Sequence, residues 1–171
     1  GDKINNNNCN NINNNNNTIN NNIHINNYGN EDLSHLTPDV LTNLIKGPCS
    51  MISDLTKMIH FNEDKPQNMN IFIPNKRGKY IKIFKDDEWT LEDKKERIPD
   101  IVDKNYNILD NHFENNEDYL ENNNKKNYKK IQNSIDANDK TTIQKNCDLV
   151  ELEILNGSEK HKSNFIKELN T

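Results

Sequence analysis

Ile71-Phe72-Ile73-Pro74-Asn75-Lys76-Arg77-Gly78-Lys79-Tyr80-Ile81-Lys82-Ile83-Phe84-Lys85-Asp86-Asp87-Glu88-Trp89-Thr90-Leu91 is the stretch on which the fold turns. Two β-branched and aromatic runs, Ile71-Phe72-Ile73 and Tyr80-Ile81-Lys82-Ile83-Phe84, flank the turn cluster Asn75-Lys76-Arg77-Gly78. A glycine-containing loop of that length between such runs is a hairpin signal. Asp86-Asp87-Glu88 marks a second turn, and Trp89-Thr90-Leu91 is expected to add a short third strand. Trp89 is expected to anchor the sheet against a helix.

The flanks read as helices. Thr37-Pro38-Asp39 is a helix start, with a capping hydroxyl, proline at the first helical position and an acid at the positive end. Val40, Leu41, Leu44 and Ile45 make its apolar face, and Gly47-Pro48 stops it. A second helix is expected from Pro48 to Ile59, because Met51, Ile52, Leu55, Met58 and Ile59 recur at helical spacing. Over 92–121, Val102, Tyr106, Leu109 and Phe113 run at 4-3-4 spacing, and Pro99 is expected to kink that helix or mark its true first turn. Residues 117–136 are polar, with Tyr128, Ile131 and Ile135 as a thin stripe. Ile143, Cys147, Val150 and Ile154 repeat the 4-3-4 pattern, Asn156-Gly157 reads as the stop, and the tail from Ser158 is expected to fray. The expected fold class is α+β, mostly helical, with a small antiparallel β-hairpin and an asparagine-rich amino-terminal extension. The chain divides into 1–30 (low-complexity extension or oligomer stalk), 31–115 (compact head), 116–157 (helical, an oligomerisation segment) and 158–171 (tail).

Composition bounds the function. Only 31% of residues are hydrophobic and 29% are charged, against an ordinary apolar share of roughly 45–50%. A modest core is expected only beyond residue 30, and packing between subunits can supply what one chain lacks. The net charge is −5 and the sequence pI about 5.5, which lacks the basic stripe of a strong DNA binder. No basic amphipathic helix stands out and no apolar run is long enough to span a bilayer, so no membrane partner is expected. No secretory signal is legible, and Gly1 reads as a non-native start with a region missing upstream. Cys9, Cys49 and Cys147 are far apart and odd in number, which argues against a disulfide framework and for a reducing, intracellular compartment.

The first thirty residues hold seventeen asparagines. Ile12, Ile19 and Asn26 lie seven apart, with Asn16 and Ile23 four residues after the first two, a heptad in which buried asparagine can set register. Ile23-His24-Ile25 instead shows the period of a strand. Extended or disordered chain, strand association and a helical stalk all stay open for this segment.

Three groups of residues could carry chemistry. The densest is His60-Phe61-Asn62-Glu63-Asp64 with Asn68 and Asn70. A histidine and asparagines before a β-ribbon resemble the metal-dependent His-Asn-His nucleases, in which a histidine acts as base and others bind a metal. Position 69 is Met, so a second well-placed histidine is missing. The favoured alternative is a loop in which Asn and Asp side chains bond the backbone and Pro66 stiffens it. The second group is the basic turn Lys76, Arg77 and Lys79, since basic β-ribbons enter nucleic-acid grooves, although a solvated turn is the commoner use. Lys125-Lys126 and Lys129-Lys130 form another basic patch, diluted in sequence by acids. Cys49 lies near a helix start, where a thiol is activated, but a buried small hydrophobe is the favoured reading. No Cys or His pair has zinc-site spacing, so no metal or cofactor is expected.

Asn22-Ile-His-Ile-Asn-Asn-Tyr-Gly-Asn-Glu-Asp-Leu-Ser-His35, Ile59-His-Phe-Asn-Glu-Asp-Lys-Pro-Gln-Asn-Met-Asn70 and the Trp89 region with its Asp/Lys-rich helix carry a likeness. Over roughly 18–113 the chain resembles uncharacterised asparagine-rich proteins of mimivirus-like giant DNA viruses. The resemblance implies viral origin, a host-cytoplasm or viral-factory location and a neighbouring Cys/His zinc-finger region upstream. Many such proteins carry His where this chain has Met69, a departure that weakens a metal site. The resemblance implies no activity.

The leading expectation is therefore a non-enzymatic oligomerisation or interaction module, a homo-oligomer held by Ile12, Ile19 and Ile23 and by Ile143, Val150 and Ile154. The second is a DNA-linked regulatory module whose turn Lys76-Arg77-Lys79 meets phosphates. A metal nuclease centred on His60 comes third, and recruitment into viral condensates through the asparagine tract fourth.

Overall fold

A computed structural model describes residues 22–169 of the chain. Ile12 and Ile19, with most of the asparagine-rich heptad, lie outside the described residues. Helices α1 (Pro38–Ile45) and α2 (Met51–His60) come first. The Thr37 hydroxyl accepts from the Val40 amide at 3.3 Å and Pro38 occupies the first turn, as the Thr-Pro-Asp signal predicts. Helix α2 starts at Met51 rather than Pro48, because Gly47 to Ser50 form a turn closed by Ser50 N–H to Gly47 O at 3.2 Å. Cys49 sits in that turn and is exposed, not buried.

Strands β1 (Ile71–Phe72), β2 (Tyr80–Lys85) and β3 (Glu88–Asp93) make an antiparallel sheet in the order β1-β2-β3. Ile71 pairs with Ile83, and Phe84 with Trp89. Asp86 and Asp87 form the β2–β3 turn at φ 52° and 63°. Left-handed residues in a two-residue turn match the twist of the flanking strands. One sheet face turns Ile81 and Ile83 to the core, and the other carries Phe72, Phe84 and Trp89.

Helices α3 (Lys94–Asn116), α4 (Asn122–Asp136), α5 (Lys140–Lys160) and α6 (Lys162–Leu169) follow. The Asp93 carboxylate caps α3 by accepting from the Lys95 amide at 2.8 Å, so Pro99 lies inside the helix and does not mark its first turn. Helix α2 packs on α3 and α5, and the sheet packs on the same two helices. Met51, Ile52, Leu55 and Ile59 share one core with Ile101, Leu109 and Phe113 of α3, Ile71 of β1, and Val150 and Ile154 of α5, all at most 1% exposed. Each such side chain contributes roughly 1.5–3 kcal/mol on burial.

The carboxy-terminal third differs from the sequence expectation. Helix α5 runs through Asn156-Gly157 to Lys160. Gly157 is there for a close approach: a Cβ on it would lie 2.4 Å from Phe61 Cγ. The Ser158 hydroxyl accepts from the Ile73 amide at 3.0 Å and donates to Ile154 O at 2.6 Å, satisfying the end of β1 rather than fraying. The divisions drawn at 115 and 157 fall inside α3 and α5, whose buried residues share one core with the sheet. The stripe Cys147, Val150, Ile154 is buried against α2, α3 and β1, with Ile143 packed at its edge. Val150 and Ile154 are 0% exposed and are not available to another chain. A narrow apolar stripe has the same periodicity whether it pairs with its own chain or with a partner.

Helix α6 supplies the helix that Trp89 was expected to find. Phe165 is 2% exposed, stacks on Phe72 at 4.5 Å and meets Trp89 edge-on at 6.1 Å. Phe165→Ala is expected to cost about 3–5 kcal/mol and to red-shift the emission of the single tryptophan. Chemical denaturation and fluorescence read both, and unchanged emission would mean that α6 does not cover Trp89.

Candidate functional site

The polar loop and the segment preceding α1 meet in a closed hydrogen-bond network. Segment 26–28 runs beside the loop before β1 and the end of β2: Asn26 N–H donates to Gln67 O at 2.8 Å and Tyr28 N–H to Phe84 O at 2.7 Å. Asn27 and Asp87 exchange two bonds, at 3.0 and 2.9 Å, which pins the left-handed β2–β3 turn. Asn68 is fully buried. Its Oδ1 accepts from Asn26 Nδ2 at 3.0 Å and from the Asp32 amide at 2.9 Å, while its Nδ2 donates to Asp32 O at 2.7 Å. Asn70 Nδ2 donates to Asn26 O at 3.1 Å and Glu31 Oε1 at 2.9 Å. His60 Nδ1 lies 2.7 Å from Asn70 Oδ1, so the neutral ring carries its proton on Nδ1.

Charges complete the network. The Glu31 side chain is 2% exposed and faces Lys104 of α3 at 3.1 Å. It also accepts from the Gly29 amide at 2.9 Å, and Gly29 has φ 94°, a conformation that favours glycine. Burial opposes ionisation of Glu31, but His60 when it is protonated, the donors of Gly29 and Asn70 and the charge of Lys104 outweigh it, so its carboxyl lies below the usual range. Burial holds the His60 imidazole neutral and lowers its pKa, against the pull of Glu31. Tyr28 stacks on His60 at 5.9 Å, and Lys104 Nζ sits 4.3 Å from its ring centre. Burial pushes the Tyr28 phenol up. Hydrogen bonds from Lys65 and Ser34 hold the Asp32 carboxyl down, with Lys65 Nζ at 2.7 Å.

This arrangement is a structural clasp. His60 is 1% exposed, and its Nδ1 is committed to Asn70, so the ring is not presented to a solvent-borne substrate. A polar network this deep is tolerable because its members satisfy one another. Asn62 stands apart in the local turn, its Oδ1 accepting from the Asp64 amide at 2.9 Å and its carbonyl from the Lys65 amide at 3.0 Å. Met69 turns to α6, where its sulfur accepts from Asn164 Nδ2 at 3.0 Å. Position 69 therefore faces away from His60. His35 bonds Met58 O at 2.8 Å and His112 bonds Thr42 Oγ1 at 2.9 Å, so neither joins His60. Among the described residues no group of three or more His, Cys, Asp or Glu could hold a metal ion.

The basic turn is exposed at Lys76, Arg77 and Lys79. It edges an open groove of about 610 Å³ that Asp148 and Glu151 of α5 also line. Lys94 beside it is paired with Glu151 at 2.9 Å. The positive field of the turn is thus divided by acids that sequence distance concealed. Ile23 is 47% exposed and lines a hollow beside α6 with Ile25, Met69 and Trp89.

Sequence reasoning found His60, Asn68 and Asn70 but missed Asn26, Tyr28, Glu31, Asp32 and Lys104. The signal was present in Tyr28-Gly29-Asn30-Glu31-Asp32, an aromatic, a glycine and acids at the end of a low-complexity run. Residues 22–35 and 59–70 are the two segments that meet in the clasp.

The fold is thus α+β, mostly helical, with one small antiparallel sheet. Among the described residues no helix is long and apolar enough to cross a membrane. Comparison with protein-family models, with curated proteins and with solved structures finds no match to the chain.

Proposed function

We propose that the chain is a non-enzymatic interaction module that pairs with a second copy of itself through the face shared by α5 and α6. The observation that supports this reading is an open apolar groove of about 290 Å³ lined by Ile73, Pro74, Leu155, Phe165 and Leu169. Leu152 stands at its edge, 53% exposed. In an isologous contact the same patch faces itself, so it needs a projection and a hollow on one surface. Leu152 is the projection and the groove is the hollow. The rim carries Lys76 and Lys162 with Glu159, both signs together, which complements a copy of itself better than a partner of one charge. This surface replaces the Ile143–Val150–Ile154 stripe as the basis of self-association.

Leu152→Asp tests it. The side chain is exposed, so stability is expected to change by no more than about 0.5 kcal/mol, the usual range for a surface substitution. Light scattering is expected to show a dimer for the parent chain and a monomer for the variant. A monomeric parent, or a variant that keeps the parent's mass, overturns the proposal.

A further inference from the structure

Helix α4 has a face that neither the fold nor the α5–α6 surface uses. Tyr128 is fully buried, with Ile131 and Ile135 packed beside it. On the other side Asn122, Lys125, Lys126, Lys129, Lys130 and Asn133 recur at helical spacing and line one open surface with no carboxylate among them. Two acids, Asp110 and Glu117, pair with α4. Asp110 of α3 accepts from the Tyr128 hydroxyl at 2.9 Å and from Gln132 Nε2 at 3.0 Å on the inner side. Glu117 reaches Lys129 at 3.6 Å. Among the described residues Lys125, Lys126 and Lys130 make no ion pair.

We propose that this face of α4 docks on the sugar–phosphate backbone of a nucleic-acid duplex. Its lining is cations and amides, with Glu117 paired to Lys129, and cations and amides contact phosphate oxygens without reading sequence. A protein partner would need a buried aromatic or aliphatic anchor, and the face has none. Binding to a single strand rests on stacked aromatic rings, and the one ring of α4 is buried in the core. The four lysines fall within about 7.5 Å of helix axis, against a duplex carrying one charge per about 1.7 Å. The chain is acidic overall at −5, but charges beyond about 8 Å are screened at physiological salt, so the local cluster governs contact. This inference is independent of self-association through α5 and α6.

The test is fluorescence anisotropy of a mixed-sequence DNA duplex titrated with the full chain across a salt series. Four phosphate contacts give a slope of log affinity on log salt of about −3.6, or roughly a hundredfold loss for a fourfold rise in salt. Replacing Lys125, Lys126, Lys129 and Lys130 by Gln should abolish binding, and replacing them by Arg should retain it. Changing Lys76, Arg77 and Lys79 to Gln should leave affinity unchanged. If the Gln variant loses its cooperative thermal transition, single replacements decide, each lowering the slope by about 0.9. No binding by the parent, undiminished binding by a folded Gln variant, tighter binding to a single strand, or equal binding to polyglutamate each overturns the proposal.

Discussion

Gly157→Ala is expected to destabilise the protein by about 3 kcal/mol, the upper part of the range for overpacking a closed core. Helix propensity alone says the opposite, since alanine in a helix interior is favoured over glycine by roughly 1 kcal/mol. Steric contact decides the sign. The added methyl would stand 2.4 Å from Phe61 Cγ, 2.5 Å from Cδ1 and 2.7 Å from Cδ2. Phe61 is 4% exposed and stacks on His161 at 6.3 Å, so its ring cannot swing into solvent. The urea midpoint reads the loss. The double variant with Phe61→Leu is expected to recover part of it, because residues in contact do not add. A stabilised Gly157→Ala protein would show that α5 does not approach Phe61 closely.

Glu31→Ala is expected to cost about 3 kcal/mol, the lower end for breaking a buried ion pair, because Lys104 stays 32% exposed. The loss has three parts: Lys104 over the Tyr28 ring, the Asn70 amide and the Gly29 amide all lose an acceptor. Denaturation of the variant measures it, and a loss under about 1 kcal/mol would place the pair among ordinary surface salt bridges. The same site makes stability depend on pH. His60 is held neutral with a lowered pKa, so below about pH 6.5 the unfolded chain takes a proton that the folded chain refuses, and stability falls. Glu31 has a lowered carboxyl pKa. Its contribution is fully present above the unfolded value of about 4.3 and is lost as pH falls through the folded value. Urea midpoints are therefore expected to decline on acidification from about pH 6.5 and to steepen below about 4.3. In Glu31→Gln the steep limb should be shallower.

These effects sit where local reading and tertiary structure part. Thr37-Pro38, the Asn75–Gly78 turn and the strand Trp89-Thr90-Leu91 were legible because each depends on neighbours within a few residues: a cap, a turn, a period. Asn156-Gly157 misled for the same reason. A glycine at a helix stop and a glycine under an aromatic ring look alike until the ring is placed by residues far away in sequence. The tail from Ser158 reads as a fraying terminus, yet Phe165, stacked on Phe72, gives α6 a place on the sheet. His60, Asn68 and Asn70 were recognisable as a polar cluster. Their partners Asn26, Glu31 and Asp32 were not, because they sit at the edge of an asparagine run where no period distinguishes one amide from the next.

The sequence by itself determined the order of elements from α1 through α5, the Thr37 cap and the turns of the sheet, since backbone sterics and side-chain periodicity act over one or two turns of chain. Tertiary structure alone decided which apolar stripe is core and which acids leave a lysine face bare. It also buried His60 against Asn70 within the clasp. Burial and pairing depend on residues brought in from other elements, and a linear pattern carries no record of which of them arrive.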